Sequence, residues 1–415
     1  MKGFFRIALR NLARHKRRAV LTGLGMVFGG FFLVFGRACA DGLRTQMFNN
    51  MIALDTGHLS IIAAGEGEQG GSDFDRAIRS PGKRWLAEPE KIVETVSGLA
   101  GVSVVSRRIG STCLFFAGPK MYEGILTGIE PDKEADLLLE AARPVAGRSL
   151  QAGDFYGIYI SEAQAERFGA VVGDSITVSA QTAGGGMNTL DFLVVGIYAK
   201  NMPWHDNRAY IHLGSAQELM LAGNSVTQIK VLLEKAGAAG AFAAVLQETF
   251  KGWALTVEDW RTAGGFYAGS VMANTITFNL INLVLLIVIA AGVINTMLTA
   301  VFERFREIGM MTAMGAKRRQ IRLLFLAEAV ILSLCFGGLG VFLGSLTSLW
   351  LGKAGIPAFI DAARYAFGAE RMYPLLTWGN VLVSFLVLVL ATLVSSYYPA
   401  RMASRLQPAG ALRRK

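Results

Sequence analysis

Four apolar stretches constrain the fold of this chain more than any other feature of its sequence. Each stretch has the roughly 20 residues that a helix needs to cross a hydrocarbon layer about 30 Å thick. The composition agrees, since 52% of the 415 residues are hydrophobic and only 17% are charged. We therefore predict four transmembrane helices, at residues 19–40, 271–300, 323–351 and 376–398.

The lysines and arginines gather in three clusters beside these stretches. One cluster precedes the first stretch, one lies between the second and the third, and one follows the fourth. Because cytoplasmic segments next to membrane helices carry an excess of Lys and Arg, all three clusters belong in the cytoplasm. The formal charge of +10 thus reflects topology rather than nucleic-acid binding, and both termini are predicted to be cytoplasmic.

This topology places two segments outside the cytoplasm, a large one at 41–270 and a short loop at 352–375. The large segment has strand, helix and strand patterns at both of its ends, at 55–110 and 224–260, which predicts a split ferredoxin-like part. Short strand patterns between Gly, Asp and Pro turns predict a β-rich insertion at 111–223. The expected fold class is a membrane protein with four transmembrane α-helices and a large α+β extracytoplasmic domain, which is periplasmic and inserted between helices one and two.

The two ends of the chain are basic and lie on the cytoplasmic side in this topology. In residues 1–18, apolar and basic side chains recur at helical spacing, which is typical of an amphipathic helix on an anionic membrane surface. A cleaved signal peptide is the alternative, because Ala38-Cys39-Ala40 resembles a cleavage site. The apolar run is longer than a signal peptide needs, so a retained helix is favoured. Residues 399–415 are predicted to form a cytoplasmic tail.

The sequence lacks the motifs that bind phosphates or metals. A Walker A loop needs a Lys that is followed by Ser or Thr, whereas Gly82-Lys83 is followed by Arg84. The three cysteines and four histidines show no spacing that suits zinc. We therefore expect no catalytic residue, no cofactor and no metal site in this chain.

The segment between the second and third stretches, residues 301–322, has the pattern short helix, glycine, basic helix. Four of its apolar side chains, which we expect to be exposed, are Ile308, Met310, Met311 and Met314. Exposed methionines adapt well to a groove in a partner protein. A solvated connector is the alternative. The residues predicted to couple this segment to a partner are Glu303, Arg304, Arg306, Glu307, Ile308, Gly309, Met314, Gly315 and Ala316.

The same segment resembles a known family. The runs Arg306-Glu307-Ile308-Gly309 and Ala313-Met314-Gly315-Ala316, followed by Arg319-Gln320-Ile321 and Glu328, are similar to the signature of the FtsX-like permeases. Further matches are Ala8-x-Arg10-Asn11-Leu12, Gly337-Gly338-x-Gly340-x-x-x-Gly344 and Pro399-Ala400-Arg401-x-Ala403. The resemblance covers essentially the whole chain.

The family comprises the MacB, FtsX and LolC/LolE permeases, whose shared plan is one span, an extracytoplasmic domain and three further spans. In length, this chain is most similar to the LolC/LolE lipoprotein-releasing subgroup. The resemblance implies a non-catalytic permease subunit of an ABC transporter in the bacterial inner membrane. Such a subunit pairs with a second permease copy or a paralogue. Two copies of an ABC ATPase subunit, which bind the ATP and Mg, would dock on the segment at 301–322.

Three functions stay open under this resemblance. The first is release of lipoproteins from the inner membrane for outer-membrane localisation, with a periplasmic lipoprotein carrier as a further partner. The second is MacB-like efflux together with a membrane-fusion protein. The third is FtsX-like mechanotransmission that regulates a cell-wall hydrolase.

Lipoprotein release would require a place for acyl chains between spans one and two. Ordinary aromatic contacts with membrane lipids are the alternative interpretation of the aromatic residues there. The predicted lining of a lipid or substrate cavity is Phe28, Phe31, Phe32, Phe35, Phe266, Tyr267 and Phe278.

Two further features of the spans concern packing and charge. Gly25-x-x-x-Gly29 and Gly340-x-x-x-Gly344 are small-residue motifs that can bring membrane helices close together. Arg37 and Asp41 lie one helical turn apart at the end of the first span. Snorkelling to lipid headgroups is the simplest explanation for these charges.

Overall fold

The apolar helices and the α+β part of the sequence form separate units in the structure. The structure, a computed structural model, describes residues 16–64, 85–200, 205–263, 265–360, 363–364 and 367–405. The described residues fall into two units. A helical unit holds those up to Arg44, Ala273–Ile356 and those from Met372 onward, and an α+β unit holds Thr45–Met272 and Pro357–Arg371. The predicted amphipathic helix, apart from residues 16–18, and the tail beyond residue 405 lie outside the described residues.

The helices and strands are numbered here in chain order. The helices are α1 (Lys16–Met51), α2 (Pro89–Ser97), α3 (Pro131–Ala141), α4 (Glu162–Phe168), α5 (Leu213–Leu219), α6 (Ala239–Thr249), α7 (Trp260–Ala263), α8 (Gly265–Glu303), α9 (Phe305–Ala313), α10 (Arg318–Leu332), α11 (Gly338–Ala354) and α12 (Trp378–Ala403). The strands are β1 (Leu59–Ala63), β2 (Val102–Ala117), β3 (Lys120–Ile129), β4 (Pro144–Gly147), β5 (Gly157–Ser161), β6 (Ser175–Gln181), β7 (Met187–Tyr198), β8 (Arg208–His212), β9 (Gln228–Leu233), β10 (Leu255–Asp259), β11 (Ile356–Pro357) and β12 (Arg371–Met372). Wider π-helical turns at Ile52–Thr56 and Ser333–Gly337 follow α1 and α10.

Four helical segments among the described residues are long and apolar enough to cross a membrane. They are Gly23–Thr56, Val271–Glu303, Arg318–Ala354 and Trp378–Ala403. The third consists of α10 and α11, joined by a π-helical turn without a break in the helix. These segments correspond to the four apolar stretches of the sequence, so the prediction of four apolar spans is confirmed.

Helices α1 and α11 pack closely because two glycines of α11 face the backbone of α1. A Cβ atom on Gly340 would lie 2.8 Å from the Cα atom of Val27, and one on Gly344 would lie 2.7 Å from the carbonyl oxygen of Phe31. The two glycines are one helical turn apart, as are the two residues that they face. By contrast, a Cβ atom on Gly25 would meet nothing within 4 Å. Gly29, the other glycine of that motif, faces the side chain of Ile289 in α8. The α11 motif is therefore the one in which both glycines face the backbone of a neighbouring helix.

One part of the α+β unit is a four-stranded antiparallel sheet in the order β10-β1-β9-β2. Along the chain, α2 lies between β1 and β2, and α6 lies between β9 and β10. This arrangement is that of a ferredoxin-like βαββαβ unit, in which the third strand lies between the first and the second. The unit is split, because β3 to β8 fall in the sequence between its second and third strands.

The inserted segment closes into a barrel. The second half of β2 pairs with β3 and β6, β3 pairs with β8, β8 with β5, β5 with β7, and β7 with β6. Closure of these six strands into a ring covers edges that would otherwise offer unpaired backbone groups to another chain. One cluster of buried apolar side chains, which includes Ile61, Phe115, Ile176 and Val231, runs through both the sheet and the barrel.

The glycine contact predicts opposite effects for the same substitution in the two motifs. Gly340→Ala places a methyl group against the backbone of α1, so we expect a loss of about 1–3 kcal/mol in the free energy of unfolding. Gly25→Ala, the matched control, adds the same methyl group in open space and should stabilise the helix by up to about 1 kcal/mol. Thermal unfolding of the full chain in mild detergent measures both. Equal midpoints for the two variants would contradict the close contact.

Candidate functional site

The segment between α8 and α10 is a compact helical element rather than an extended loop. α8 ends at Glu303, α9 follows at Phe305–Ala313, and α10 begins at Arg318. The chain turns between α9 and α10 at Gly315, whose φ of +91° is a left-handed conformation that favours glycine. The predicted pattern of short helix, glycine and basic helix matches this arrangement.

A buried ion pair holds the start of this element. The Nη1 atom of Arg304 lies 2.9 Å from the Oε2 atom of Glu328 in α10. Arg304 is 5% exposed and Glu328 is 1% exposed. Removing one partner of such a pair leaves an uncompensated buried charge, so this geometry is strongly held. The ion pair links the junction of α8 and α9 to the middle of α10.

The four apolar side chains of this element do not share one environment. Ile308 is buried in a cluster with Val301, Ile321 and Phe325, so the expectation that it is exposed is wrong. It faces inward because the helix places it on the side of α9 that packs on α8 and α10. Met311 is half-buried and contacts the same cluster.

The exposed apolar surface of α9 and of Met314, the residue that caps its C-terminal end, therefore consists of two methionines. Met310 is 50% exposed and Met314 is 81% exposed. They lie four residues apart, which places them on one face of the helix. This face, defined by Met310 and Met314, is called the methionine face below.

The remaining residues of the predicted coupling set divide between support and surface. Gly309 is buried and Ala316 is half-buried. Glu303, Arg306 and Glu307 are exposed. The structure thus separates a supporting group, which is Arg304, Ile308 and Gly309, from a charged and apolar surface beside it.

An apolar groove of about 410 Å³ runs between α1 and α8. Phe28 and Phe32 line it from α1, and Leu285, Val288 and Ile289 line it from α8. Two of the predicted cavity residues are therefore at a groove. The structure places this groove at the middle of α1, whereas the prediction placed a cavity at the end of that span.

The other predicted cavity residues do not line this groove. Phe31 stacks on Phe35 with ring centroids 5.6 Å apart, and Phe278 is half-buried. Phe266 and Tyr267 fall in α8, but their side chains lie outside the described residues.

The α+β unit contains a group of buried charges that sequence reasoning missed. Arg108, Glu134 and Lys230 are each at most 1% exposed. Arg108 pairs with both carboxylate oxygens of Glu134, and Lys230 donates a hydrogen bond to Glu134 Oε2 at 3.2 Å. Each of the three residues comes from a different element, namely β2, α3 and β9.

The cations of this group bind the backbone that follows α1. Arg108 donates to the carbonyl oxygen of Leu54 at 2.5 Å, and Lys230 donates to that of Ala53 at 2.5 Å. The carboxylate of Asp55 in the same turn lies 2.6 Å from the guanidinium of Arg208. The last carbonyl groups of a helix have no partner within the helix, and these cations satisfy them. This buried group, called the charge clasp below, fixes the end of α1 to the sheet.

Charge and burial act against each other on the clasp residues. Burial of Glu134 opposes its ionisation, but the attraction of Arg108 and Lys230 prevails and lowers its pKa from 4.5 to about 2. Burial and the nearby Arg108 lower the pKa of Lys230 to about 7, although Glu134 opposes this change. Glu134 is therefore ionised at neutral pH and is the carboxylate that both Arg108 and Lys230 contact.

Among the described residues, no group of His, Cys, Asp and Glu side chains is arranged to hold a metal ion. Cys39, Cys113 and Cys335 are free thiols. The candidate functional features in the described part of the chain are thus helix surfaces, a groove and buried ion pairs.

Two family models match the sequence of this chain. The model of the FtsX-like permease C-terminal domain matches residues 279–408, and that of the MacB-like periplasmic core domain matches residues 19–249. The first match contains α9 and the methionine face, and the second contains the charge clasp. The chain therefore belongs to the FtsX-like, MacB-type family of ABC transporter permeases.

The chain is also similar to individual proteins. The macrolide export ATP-binding/permease proteins MacB of Bdellovibrio bacteriovorus and Sodalis glossinidius are 27% and 28% identical over 97% and 98% of this chain. The chain spans about 60% of the length of each of these relatives. The crystal structure of the periplasmic region of MacB from Actinobacillus actinomycetemcomitans aligns with 50% of this chain and 91% of its own length, with 14% identity and a TM-score of 0.34.

The charge clasp predicts an acid-sensitive α+β unit. Because the pKa of Glu134 is lowered from 4.5 to about 2 in the folded chain, the stability it contributes is present above pH 4.5 and is lost as the pH falls towards 2. Glu134→Gln removes the only carboxylate that both Arg108 and Lys230 contact in the described structure, and should cost about 3–5 kcal/mol at neutral pH.

Hydrogen exchange of the β9 amides in the full chain measures this effect. The matched control is Glu248→Gln, because the exposed pair of Glu248 with Lys251 contributes little. The Glu134→Gln variant should also lose the dependence on pH between 4.5 and 2. Equal protection of β9 in both variants would disprove the clasp.

Proposed function

We propose that this chain is the transmembrane subunit of an ABC transporter complex and that a separate ATPase subunit docks on the methionine face. The observation that carries the proposal is the pairing of a rigid support with an exposed apolar surface. Arg304 and Glu328 hold the element by a buried ion pair, while Met310 and Met314 remain exposed beside it. Flexible, polarisable methionine side chains fit a partner's groove without a fixed shape.

The rigidity of the element supports its proposed role in coupling. Ile308 anchors α9 on α8 and α10 through a buried cluster. A force applied to the methionine face is therefore delivered to these two helices rather than absorbed by bending of a loop. In this proposal ATP and Mg are bound by the ATPase subunit, and the chain described here performs no hydrolysis.

Two long helices are proposed to carry the resulting motion to the α+β unit. α8 is continuous over 39 residues from Gly265 to Glu303, and α1 is continuous over 36 residues from Lys16 to Met51. The charge clasp binds the carbonyl groups that follow α1, so a displacement of this helix end would reach β2 and β9. We place this unit in the periplasm and both termini in the cytoplasm, with the spans in the inner membrane, on the basis of the charge clusters.

The work done outside the cytoplasm is proposed to be MacB-like efflux, because the relatives named above are macrolide export proteins. This hypothesis requires two partners, namely a second permease copy, identical or paralogous, and a membrane-fusion protein. Release of lipoproteins is the second candidate. It is favoured by the apolar groove lined by Phe28 and Phe32, which has the chemistry to hold an acyl chain. Mechanotransmission to a cell-wall hydrolase remains the third.

A substitution on the methionine face tests the docking proposal. Met314→Glu puts a charge at the most exposed apolar side chain of α9 and should weaken ATPase binding by one to three orders of magnitude. This estimate follows from a cost of about 1–4 kcal/mol for losing a packed interface contact. The measurement is retention of the ATPase subunit that co-purifies with the full chain, together with transport activity in proteoliposomes.

Gln320→Glu is the matched control for this substitution. It adds the same charge to an exposed position of α10 and keeps the side-chain oxygen that accepts a hydrogen bond from the Lys317 amide. Wild-type ATPase retention in the Met314→Glu variant would refute docking at this face. Loss of retention in both variants would indicate a general charge effect rather than a specific contact.

A further inference from the structure

A small polar cavity lies in the helical unit, between faces of α1, α8 and α12 that are otherwise apolar. Its volume is about 170 Å³. Polar groups within membrane helices are expensive and tend to mark functional positions. The polar side chains that line it include Arg37, Asp41, Arg44, Asn279, Asn282 and Asn380.

The cavity presents one cation that the helical unit does not neutralise. Arg37 is half-buried, and no hydrogen-bond or ion-pair partner for its guanidinium is found among the described residues. Asp41 follows one turn later, but its Oδ2 atom accepts a hydrogen bond from Asn380 at 2.8 Å. Arg44 also lines the cavity but has an interaction partner of its own, so Arg37 is the cation with which a ligand can pair. The cavity therefore favours an anionic ligand.

The cavity also presents an acceptor that lacks a donor. The Oδ1 atom of Asn282 is buried without a hydrogen-bond partner, while its Nδ2 atom donates to the carbonyl oxygen of Phe278 at 2.9 Å. An unsatisfied buried acceptor costs free energy that a ligand hydroxyl group would recover. The ligand that best fits the cavity is thus an anion that carries a hydrogen-bond donor.

The apolar groove described above lies next to the cavity along α1 and α8. On α1, Phe28 and Phe32 line the groove, and Arg37 lines the cavity a little over one turn further on. On α8, Leu285 lines the groove, and Asn282 lines the cavity three residues earlier. At 1.5 Å per residue, the step from Phe32 to Arg37 is about 8 Å along the helix. Asn282 and Leu285 share one face of α8, whereas Phe32 and Arg37 point about 140° apart around α1. The groove and the cavity, together called the seam below, are therefore neighbouring sections, one apolar and one polar.

We propose that this seam binds one anionic phospholipid of the phosphatidylglycerol class. Its phosphate pairs with Arg37, a headgroup hydroxyl donates to Asn282, and an acyl chain occupies the groove beside Phe28 and Phe32. A net anionic headgroup complements the guanidinium of Arg37, whereas a choline headgroup offers neither net charge nor a donor. The groove section of this site is the one proposed above for a lipoprotein acyl chain, but binding of a phospholipid requires no ATPase and no transported substrate.

Lipid retention by the purified full chain tests the proposal. The chain is incubated in mild detergent with equal amounts of phosphatidylglycerol and phosphatidylcholine, and bound lipid is measured by native mass spectrometry. The wild-type chain should retain phosphatidylglycerol preferentially. Arg37→Gln removes the charge-assisted hydrogen bond and should lower that retention by about tenfold. Lys353→Gln, the matched control, removes an exposed positive charge of α11 outside the cavity and should have no effect.

A second variant keeps the test decisive if Arg37→Gln does not fold. Asn282→Asp introduces a carboxylate that competes with the phosphate for Arg37, and it should reduce retention of phosphatidylglycerol in a similar way. Equal retention of the two lipids by the wild-type chain would overturn the proposal, as would equal retention by the Arg37→Gln and Lys353→Gln variants. Displacement of the lipid by millimolar inorganic phosphate would show a free-anion site and would also overturn it.

Discussion

The contact on which the α+β unit most depends is that of two buried cations with the backbone at the end of α1. The terminal carbonyl groups of a helix are unsatisfied and carry partial negative charge, so a cation placed there is stabilised. Arg108 and Lys230 come from neighbouring strands and reach Leu54 and Ala53. Without a counter-ion these cations would repel each other in a dry interior, and Glu134 supplies that counter-ion. The helix end, two strands and α3 are thus bound in one arrangement.

The helical unit uses the same device at the end of α8. There the buried pair of Arg304 and Glu328 joins the junction of α8 and α9 to α10. A buried ion pair adds little stability compared with apolar packing, yet it penalises every arrangement that separates the charges. Both ion groups lie where a long helix ends, so each restricts how that helix can move. In each unit, therefore, buried charge fixes the position of the end of a long helix.

Features that depend on local pattern were predictable from the sequence, whereas those that depend on distant partners were not. Hydropathy located the four spans, and the α11 glycine motif at Gly340 was visible as spacing alone. The charge clasp was not visible, because Glu134 is separated from Arg108 by 26 residues and from Lys230 by 96. The only signal was charge at two positions, Arg108 and Lys230, within otherwise strand-like runs. Exposure of Ile308 was wrongly expected for the same reason, since its partners lie in α8 and α10.

The two sides of α1 show why one seam of the helical unit can hold a ligand. Val27 and Phe31 face the glycines of α11, and this contact leaves no room for even a methyl group. Gly25 and Phe32 lie on another side of α1 and border the open groove with α8. In the most apolar 18 residues of the span that contains α8, only 6% are buried within the chain, compared with 44% in the span that contains α1. An element with few buried contacts has low local stability, so the position of α8 depends on what fills the seam and covers its outer face.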